Sequence, residues 1–395
     1  MSQSQLSIFD FVDNDEKTED ARYDFTKVND PYVKYVVSNG ENIEKLRFEA
    51  LKSVNNPKSI HGIYPYRGKI SAIDAKQILE QLPNKSTLLD PFCGSGTILF
   101  EGQKLGMNVI GVDNNPIAYD LSKAKLEQKK LTEFEEETKN IISRARMALE
   151  NNQVSDMPES ALKHFHIDSA KEIMSIAQFL GEMSSYVKGC YYGAIALTAR
   201  GCNHYKWTSS TVGKNIEPKQ YVCFYEKLLS KVVKHYDSNL EKPAGMVHLG
   251  DSRELSDFIK PKSVDIVFTS PPYFDALDYT AYYAKIIYEI HQQERLKIKE
   301  GLIQKFNDYR ENMISVLNQI DIVTKDDALI IFVVGDKKAK DGIIDGGEFF
   351  ASLRDSTPTY IAERVYSGSQ SQIFDTLNKT NRKEQIVVWH KAEGF

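Results

Sequence analysis

The chain is poor in cysteine, tryptophan and net charge, and each shortage removes a class of protein. Its four cysteines (Cys93, Cys190, Cys202, Cys223) are scattered, with no CxxC pair and no histidine at zinc-finger spacing. Neither a disulfide framework nor a structural zinc is therefore expected, and no metal is assigned. No apolar stretch approaches the roughly 20 residues that cross a bilayer. The N-terminus carries no signal-peptide pattern, so the expectation is a cytoplasmic protein without membrane contact. A formal charge of -5 leaves no global positive field, so any grip on nucleic acid must come from a local basic face. What is present is ordinary globular composition, 41% apolar and 27% charged over 395 residues, enough for one large unit with an insertion.

Residues 1–25 are polar and acidic and read as a flexible tail. From residue 86 a short apolar run ends in Asp90, followed by Pro91, Phe92, Cys93 and a glycine-punctuated stretch, then by a helical pattern over 98–105. A second run, 108–113, ends in Asp113 and is followed by Asn114 and another helix from about Ile117. Two strand-then-helix units in succession predict a parallel sheet with right-handed crossovers. The pattern is interrupted between 126 and 245, where helical spacing prevails. It resumes with strands at 246–249 and 264–268, a long helix after about Asp275, a buried strand at 328–334, and a terminal pair at 360–367 and 385–390.

Gly94 and Gly96 remove side chains where the backbone must turn sharply beside a ligand, and the helix that follows presents free amide donors. Parallel sheets bind ligands at the carboxyl ends of their strands, and Asp113 stands where an acid receives ribose hydroxyls. A GxGxxG fingerprint fails because Leu99 occupies its last position. A P-loop fails because Gly62 and Gly68 are one residue too far apart and Ile70 replaces the hydroxyl after Lys69. The adenosine of a different donor is the remaining reading.

The second chemical motif is Ser270-Pro271-Pro272-Tyr273, directly after an apolar strand. An exocyclic amino nitrogen is a poor nucleophile because its lone pair is delocalised into the ring. Two acceptors for its hydrogens, the Ser270 hydroxyl and the Pro271 carbonyl, would pyramidalise it toward an electrophilic methyl. Consecutive prolines hold that carbonyl in place beforehand. Tyr273 offers a stacking face to a base rotated out of its duplex. Cys93 reads as a loop filler rather than a nucleophile.

These residues resemble the amino-methyltransferase family of DNA, whose FxGxG loop binds S-adenosylmethionine and whose [DNS]PP[YFW] loop is catalytic; Phe92, Gly94 and Gly96 match the first and Ser270 to Tyr273 the second. The resemblance implies a Rossmann-like class I methyltransferase, α/β, with a mixed, mostly parallel seven-stranded sheet, reversed last strand and helical insertion. It implies a catalytic domain over 26–125 and 246–395 and S-adenosylmethionine as cofactor. The cofactor-binding set is then Tyr66, Lys69, Asp90, Pro91, Phe92, Gly94, Gly96, Thr97, Asp113, Asn114, Asp251 and Ser252. Serine at the head of the catalytic motif is typical of cytosine-N4 members, whereas aspartate or asparagine marks most adenine-N6 members. The expected activity is therefore methylation of cytosine N4 in duplex DNA, within a restriction-modification or related defence system beside a cognate endonuclease. Adenine N6 is the alternative, followed by guanine N2 of RNA.

The insertion, 126–245, is the expected target-recognition element. Arg200, Lys206, Lys214 and Lys219 interleave with Trp207 and other aromatics there, a mixture suited to phosphate and base-edge contacts. Residues 5–9 (Gln5, Leu6, Ser7, Ile8, Phe9) resemble the peptide by which bacterial replication proteins dock on the sliding clamp.

Overall fold

A computed structural model describes residues 33–38, 59–66, 70–204, 219–272, 278–281, 283–303, 305–339, 342–364 and 384–393. The clamp-like peptide, Lys69, Lys206, Trp207, Lys214 and Tyr273 lie outside them. One sheet collects β1 (Val33–Ser38), β2 (Thr87–Asp90), β3 (Asn108–Asp113), β4 (Met246–Leu249), β5 (Val264–Thr269), β6 (Thr324–Gly335), β9 (Tyr360–Arg364) and β10 (Glu384–His390), with buried runs in β2, β5, β6 and β10. Between β6 and β9 the chain adds a small separate hairpin, β7 (Lys337–Ala339) with β8 (Gly342–Ile344).

The spatial order is β4-β3-β2-β5-β6-β10-β9-β1. Neighbours from β4 through β6 pair parallel, and β10 runs antiparallel to both β6 and β9. The Rossmann-like class and the reversed last strand are as expected. The strand count is one higher, because β1 adds antiparallel to β9 at the edge. From β2 the chain steps outward through β3 to β4, then returns to the other side of β2 for β5 and β6. The reversal falls between β2 and β5, and a doubly wound sheet opens its ligand crevice at the carboxyl ends of two such strands.

Helices α1 (Ala72–Leu79), α2 (Thr97–Lys104) and α3 (Pro116–Leu126) belong to the first strand-helix units. Between α3 and β4 come α4 (Leu131–Glu150), α5 (Glu159–Leu162), α6 (Ile167–Ala177), α7 (Ser185–Cys202) and α8 (Phe224–His235). These helices are not a detached lobe. Tyr186, Val187, Tyr191 and Phe224 share one apolar core with Ile60, Phe100, Leu121 and Tyr288. A Cβ on Gly193 would lie 1.8 Å from the Ile63 carbonyl oxygen, so α7 presses directly on the 59–66 segment. The buried Lys231 ammonium of α8 donates to the carbonyls of Gly62 (2.9 Å) and Ile63 (2.8 Å). Part of the helical segment thus holds the stretch that leads to Tyr66.

The long helix expected after Asp275 is instead three: α9 (Tyr283–Ile290), α10 (Arg295–Gly301) and α11 (Phe306–Val323). Gln292 takes a left-handed φ of 50°, which no continuous α-helix tolerates. The last helix, α12 (Gly346–Ala351), follows the small hairpin. No helix among the described residues is long and apolar enough to cross a membrane.

Candidate active site

The loop after β2 turns back against β3: the Cys93 amide donates to the Val112 carbonyl (3.1 Å) and the Gly96 amide to the Cys93 carbonyl (2.7 Å). Gly96 has φ 69°, and a Cβ there would meet the Ser122 Cα at 2.8 Å. Only glycine fits this start of α2, both sterically and torsionally. The Asp113 carboxylate braces the loop, accepting from the Gly94 amide (2.8 Å) and the Asn115 amide (2.9 Å). Asn115 caps α3, its side-chain oxygen receiving the amides of Ile117 and Ala118 and the Tyr288 hydroxyl. Asp90 spans the switch point, accepting from the Thr269 hydroxyl at the end of β5 (2.6 Å) and from the Phe92 amide (3.2 Å).

A cleft of about 770 Å³ opens there. Tyr66, Asp90, Phe92, Gly94, Thr97, Asp113, Asn114, Ser252, Ser270 and Pro272 all line it. The glycine loop and the serine-proline loop, about 175 residues apart in the chain (270 − 94 = 176), therefore face one cavity. Four other sequence-assigned residues are not in its wall. Pro91 and Pro271 are buried, and Pro91 offers its carbonyl to the Ser252 hydroxyl. Gly96 caps α2. Asp251 turns to the Arg253 guanidinium, an ion pair that engages both carboxylate oxygens. Of the proposed basic set, Arg200 and Lys219 are described. The Gln220 amide returns to the Cys202 carbonyl (2.9 Å), which brings Lys219 back to the end of α7 that carries Arg200.

Asn115, Tyr279, Leu302 and Ile303 also line the cleft, and sequence reasoning gave Asn115, Leu302 and Ile303 no role. It also missed Lys125, buried beneath the loop, whose ammonium approaches Ser95 Oγ (3.4 Å), Thr97 Oγ1 (3.4 Å) and His61 Nδ1 (3.2 Å). His61 in turn meets Glu101 at 2.7 Å. The signal was available: Lys125 falls four residues after Leu121 on the apolar face of α3, where a lysine needs partners.

Burial raises the acids of the site. Desolvation, outweighing the bonds from Thr269 and Phe92, lifts Asp90 to about 7. It lifts Asp113 to about 6 against the bonds from Asn115 and Gly94, and Glu101 to about 7. The Cys93 thiol is pushed well up by burial and by the nearby Asp113 and Asp90, which removes it as a thiolate nucleophile. An acid whose folded pKa is raised binds more protons folded than unfolded between about pH 4 and the raised value. These groups therefore favour folding most at low pH and withdraw that contribution as pH rises through 6 and 7. Asp90→Asn is accordingly expected to gain melting temperature over the parent as pH is raised from 5 to 8, the Asn oxygen still accepting from Thr269; a pH-independent difference in thermal scans would contradict the assignment.

The family model "D12 class N6 adenine-specific DNA methyltransferase" matches residues 75–330. The type II methyltransferase M.MjaII of Methanocaldococcus jannaschii is 24% identical, over 80% of this chain and 81% of its own. M.MvaI of Kocuria varians is 26% identical, over 58% of this chain and 56% of its own, and M.BsoBI of Geobacillus stearothermophilus 26%, over 62% and 55%. Among solved structures, the rRNA methyltransferase aviRa of Streptomyces viridochromogenes covers 83% of this chain and 88% of its own, at a TM-score of 0.33 and 14% identity. That likeness is too slight to carry weight, and the fold rests on the strand order. With both loops on one cleft at the switch point and the match spanning both, the chain belongs to the D12 class N6 adenine-specific DNA methyltransferase family, S-adenosylmethionine-dependent enzymes that methylate DNA.

Proposed function

We propose that the protein methylates an exocyclic amino group of a base in DNA, at adenine N6. The meeting of Gly94 and Ser270 on one cleft carries the methyl-transfer reading, and the family match supports adenine as the base. A second reading, cytosine N4, is favoured by one observation, the serine in place of aspartate or asparagine at the head of the SPPY motif. By likeness to the three type II methyltransferases, we assign the modification role of a restriction-modification pair.

The cleft residues fit the cofactor. A Cβ on Gly94 would stand 3.3 Å from the Tyr66 ring, so the bare backbone leaves room between loop and ring. Each Asp113 oxygen has accepted one amide and keeps a lone pair for a ribose hydroxyl. The Asn115 side-chain nitrogen is buried without a partner, and two amide donors on its oxygen fix which end is which. S-adenosylmethionine, when bound, supplies a sulfonium-activated methyl group. Asp113 and the Gly94 backbone would hold its nucleoside and Tyr66 would cover it.

At the other wall Ser270, half-buried just after β5, would accept an amino hydrogen, and the buried Pro271 behind it would keep the loop rigid. Tyr309 of α11 donates to the Pro272 carbonyl at 2.6 Å and so fixes the loop without facing the base. Tyr279 presents an aromatic wall against which a rotated base can stack. Tyr309→Phe is expected to lower kcat about tenfold, the value of one positioning hydrogen bond, with cofactor affinity intact. Steady-state kinetics on DNA check it; an unchanged kcat removes Tyr309 from the mechanism.

The deciding experiment incubates the protein with methyl-labelled cofactor and unmethylated genomic DNA, then digests the product to nucleosides. Label in N6-methyl-2′-deoxyadenosine supports the first reading and label in N4-methyl-2′-deoxycytidine the second. Label in neither, with active cofactor binding, ends both.

A further inference from the structure

Tyr279, Leu302 and Ile303 line the cleft, yet none belongs to the glycine loop or to the serine-proline motif. All three come from one stretch of chain, 278–303, which starts at the cleft with Tyr279, runs through α9 and α10, and comes back to it with Leu302. The returning end is fastened beside the cofactor loop. Asn114, the residue after Asp113, donates its side-chain amide to the Gly301 carbonyl at 2.7 Å. Ile303 is buried in one apolar core with Val112, the residue before Asp113, and Phe92 packs against the same core. The half-buried Leu302 is thereby brought to the nucleoside side of the cleft, where a purine offers a flat apolar face.

The departing end is fastened by charge. Tyr279 sits between Asp278 and Thr280, and the Asp278 carboxylate accepts from the Thr280 amide (2.9 Å) and hydroxyl (2.7 Å), closing a turn around Tyr279. The same carboxylate receives the Lys299 ammonium at 2.7 Å and the Arg295 guanidinium at 3.4 Å, and Arg295 also donates to the Thr280 hydroxyl oxygen at 3.1 Å. Both cations belong to α10. That helix has seven residues and none of them is buried. A helix so short does not hold by itself in water, and this one has no packed face, so its place is set by its ties to the two walls of the cleft.

We propose that α10 is a strut between the two halves of the site: Asn114 fixes its far end so that Leu302 walls the adenine of the cofactor, and Lys299 and Arg295 fix Asp278 so that Tyr279 faces the incoming base. Asn114, Lys299 and Arg295 are positioning residues, acting through the side chains they place. The proposal rests on the DNA-methyltransferase reading and adds to it the residues that set both walls.

Titration with S-adenosylhomocysteine and steady-state kinetics on duplex DNA, both with the full chain, separate the two ends. Lys299→Met with Arg295→Met is expected to lower kcat/KM for DNA about tenfold while the Kd for S-adenosylhomocysteine keeps its parental value, which also reports an intact fold. Lys299→Arg, which preserves the ion pair, should stay near the parent. At the other end Leu302→Ala is expected to raise the Kd for S-adenosylhomocysteine about tenfold. Asn114→Ala should raise it about fivefold in the parent, and by less in the Leu302→Ala background, where the side chain it places is gone. Parental kinetics in the double methionine variant overturn the proposal, and so do equal losses of cofactor affinity and of kcat/KM, which would make α10 a structural element alone. Losses that multiply in Asn114→Ala with Leu302→Ala also overturn it, because they would put the Asn114 side chain on the cofactor directly. A parent that binds S-adenosylhomocysteine and methylates no DNA fails at the earlier step, the DNA reading itself.

Discussion

Ser270→Ala is expected to reduce kcat by about two to three orders of magnitude, the usual effect of removing one preorganised polar group from a transition state. The loss should fall on kcat, leaving the Kd for cofactor unchanged, because the hydroxyl lines the cleft at the end of β5 while the cofactor loop follows β2. The reasoning is electronic. A planar amino group has no directed lone pair, and the hydroxyl contributes one of two acceptors that draw its hydrogens out of plane. The backbone carbonyls of the serine-proline loop survive the substitution, so residual turnover should remain. Pre-steady-state methyl transfer with saturating cofactor measures it directly. A variant with the parental single-turnover rate would show that Ser270 accepts nothing during transfer.

Asp113→Ala is expected to weaken cofactor binding about a hundredfold or more. The carboxylate anchors two backbone amides, Gly94 and Asn115, that shape both sides of the pocket. Charge-assisted hydrogen bonds contribute about 1.5 to 3 kcal/mol each, and each factor of ten in affinity is about 1.4 kcal/mol. Even one of the two lost outright is worth about tenfold to a hundredfold, before the ribose contacts are counted. Asp113→Asn should fall between, since an amide oxygen accepts from one amide but not symmetrically from both. Titration calorimetry decides, and parental affinity in the alanine variant would remove Asp113 from the cofactor site. Because burial raises this acid to about 6, the parent's own affinity should fall as pH drops below that value, the ionised form being the one that accepts.

Several elements were readable because local patterns encode them. β2, β3, β5 and the helices after them announce themselves as apolar runs punctuated by Asp90, Asp113 and glycine, and a left-handed turn at Gly96 leaves few other residue choices. β1 was not foreseen, since an edge strand is defined by the partner it finds, here β9, more than by its own pattern. The ion pair of Asp251 was hidden for a similar reason. The acid after a strand end looks alike whether it faces a ligand or an arginine two residues on, and Arg253 claims it. The break between α9 and α11 hid in polar residues of good helix propensity, where a left-handed Gln292 leaves no signature.

By itself the sequence determined the chemistry on offer: a glycine loop between two acids, a serine-proline-proline motif after a strand, and alternating strand and helix. These are local, because turn torsions, proline rigidity and apolar periodicity act over a few residues. Only the tertiary structure decided that the two loops share one cleft, that Lys125 and Tyr309 brace them from beneath, and that α8 reaches back to hold the 59–66 segment. Those contacts join residues far apart in the chain, and they form because the strand order reverses between β2 and β5, where two carboxyl ends must diverge and leave a space.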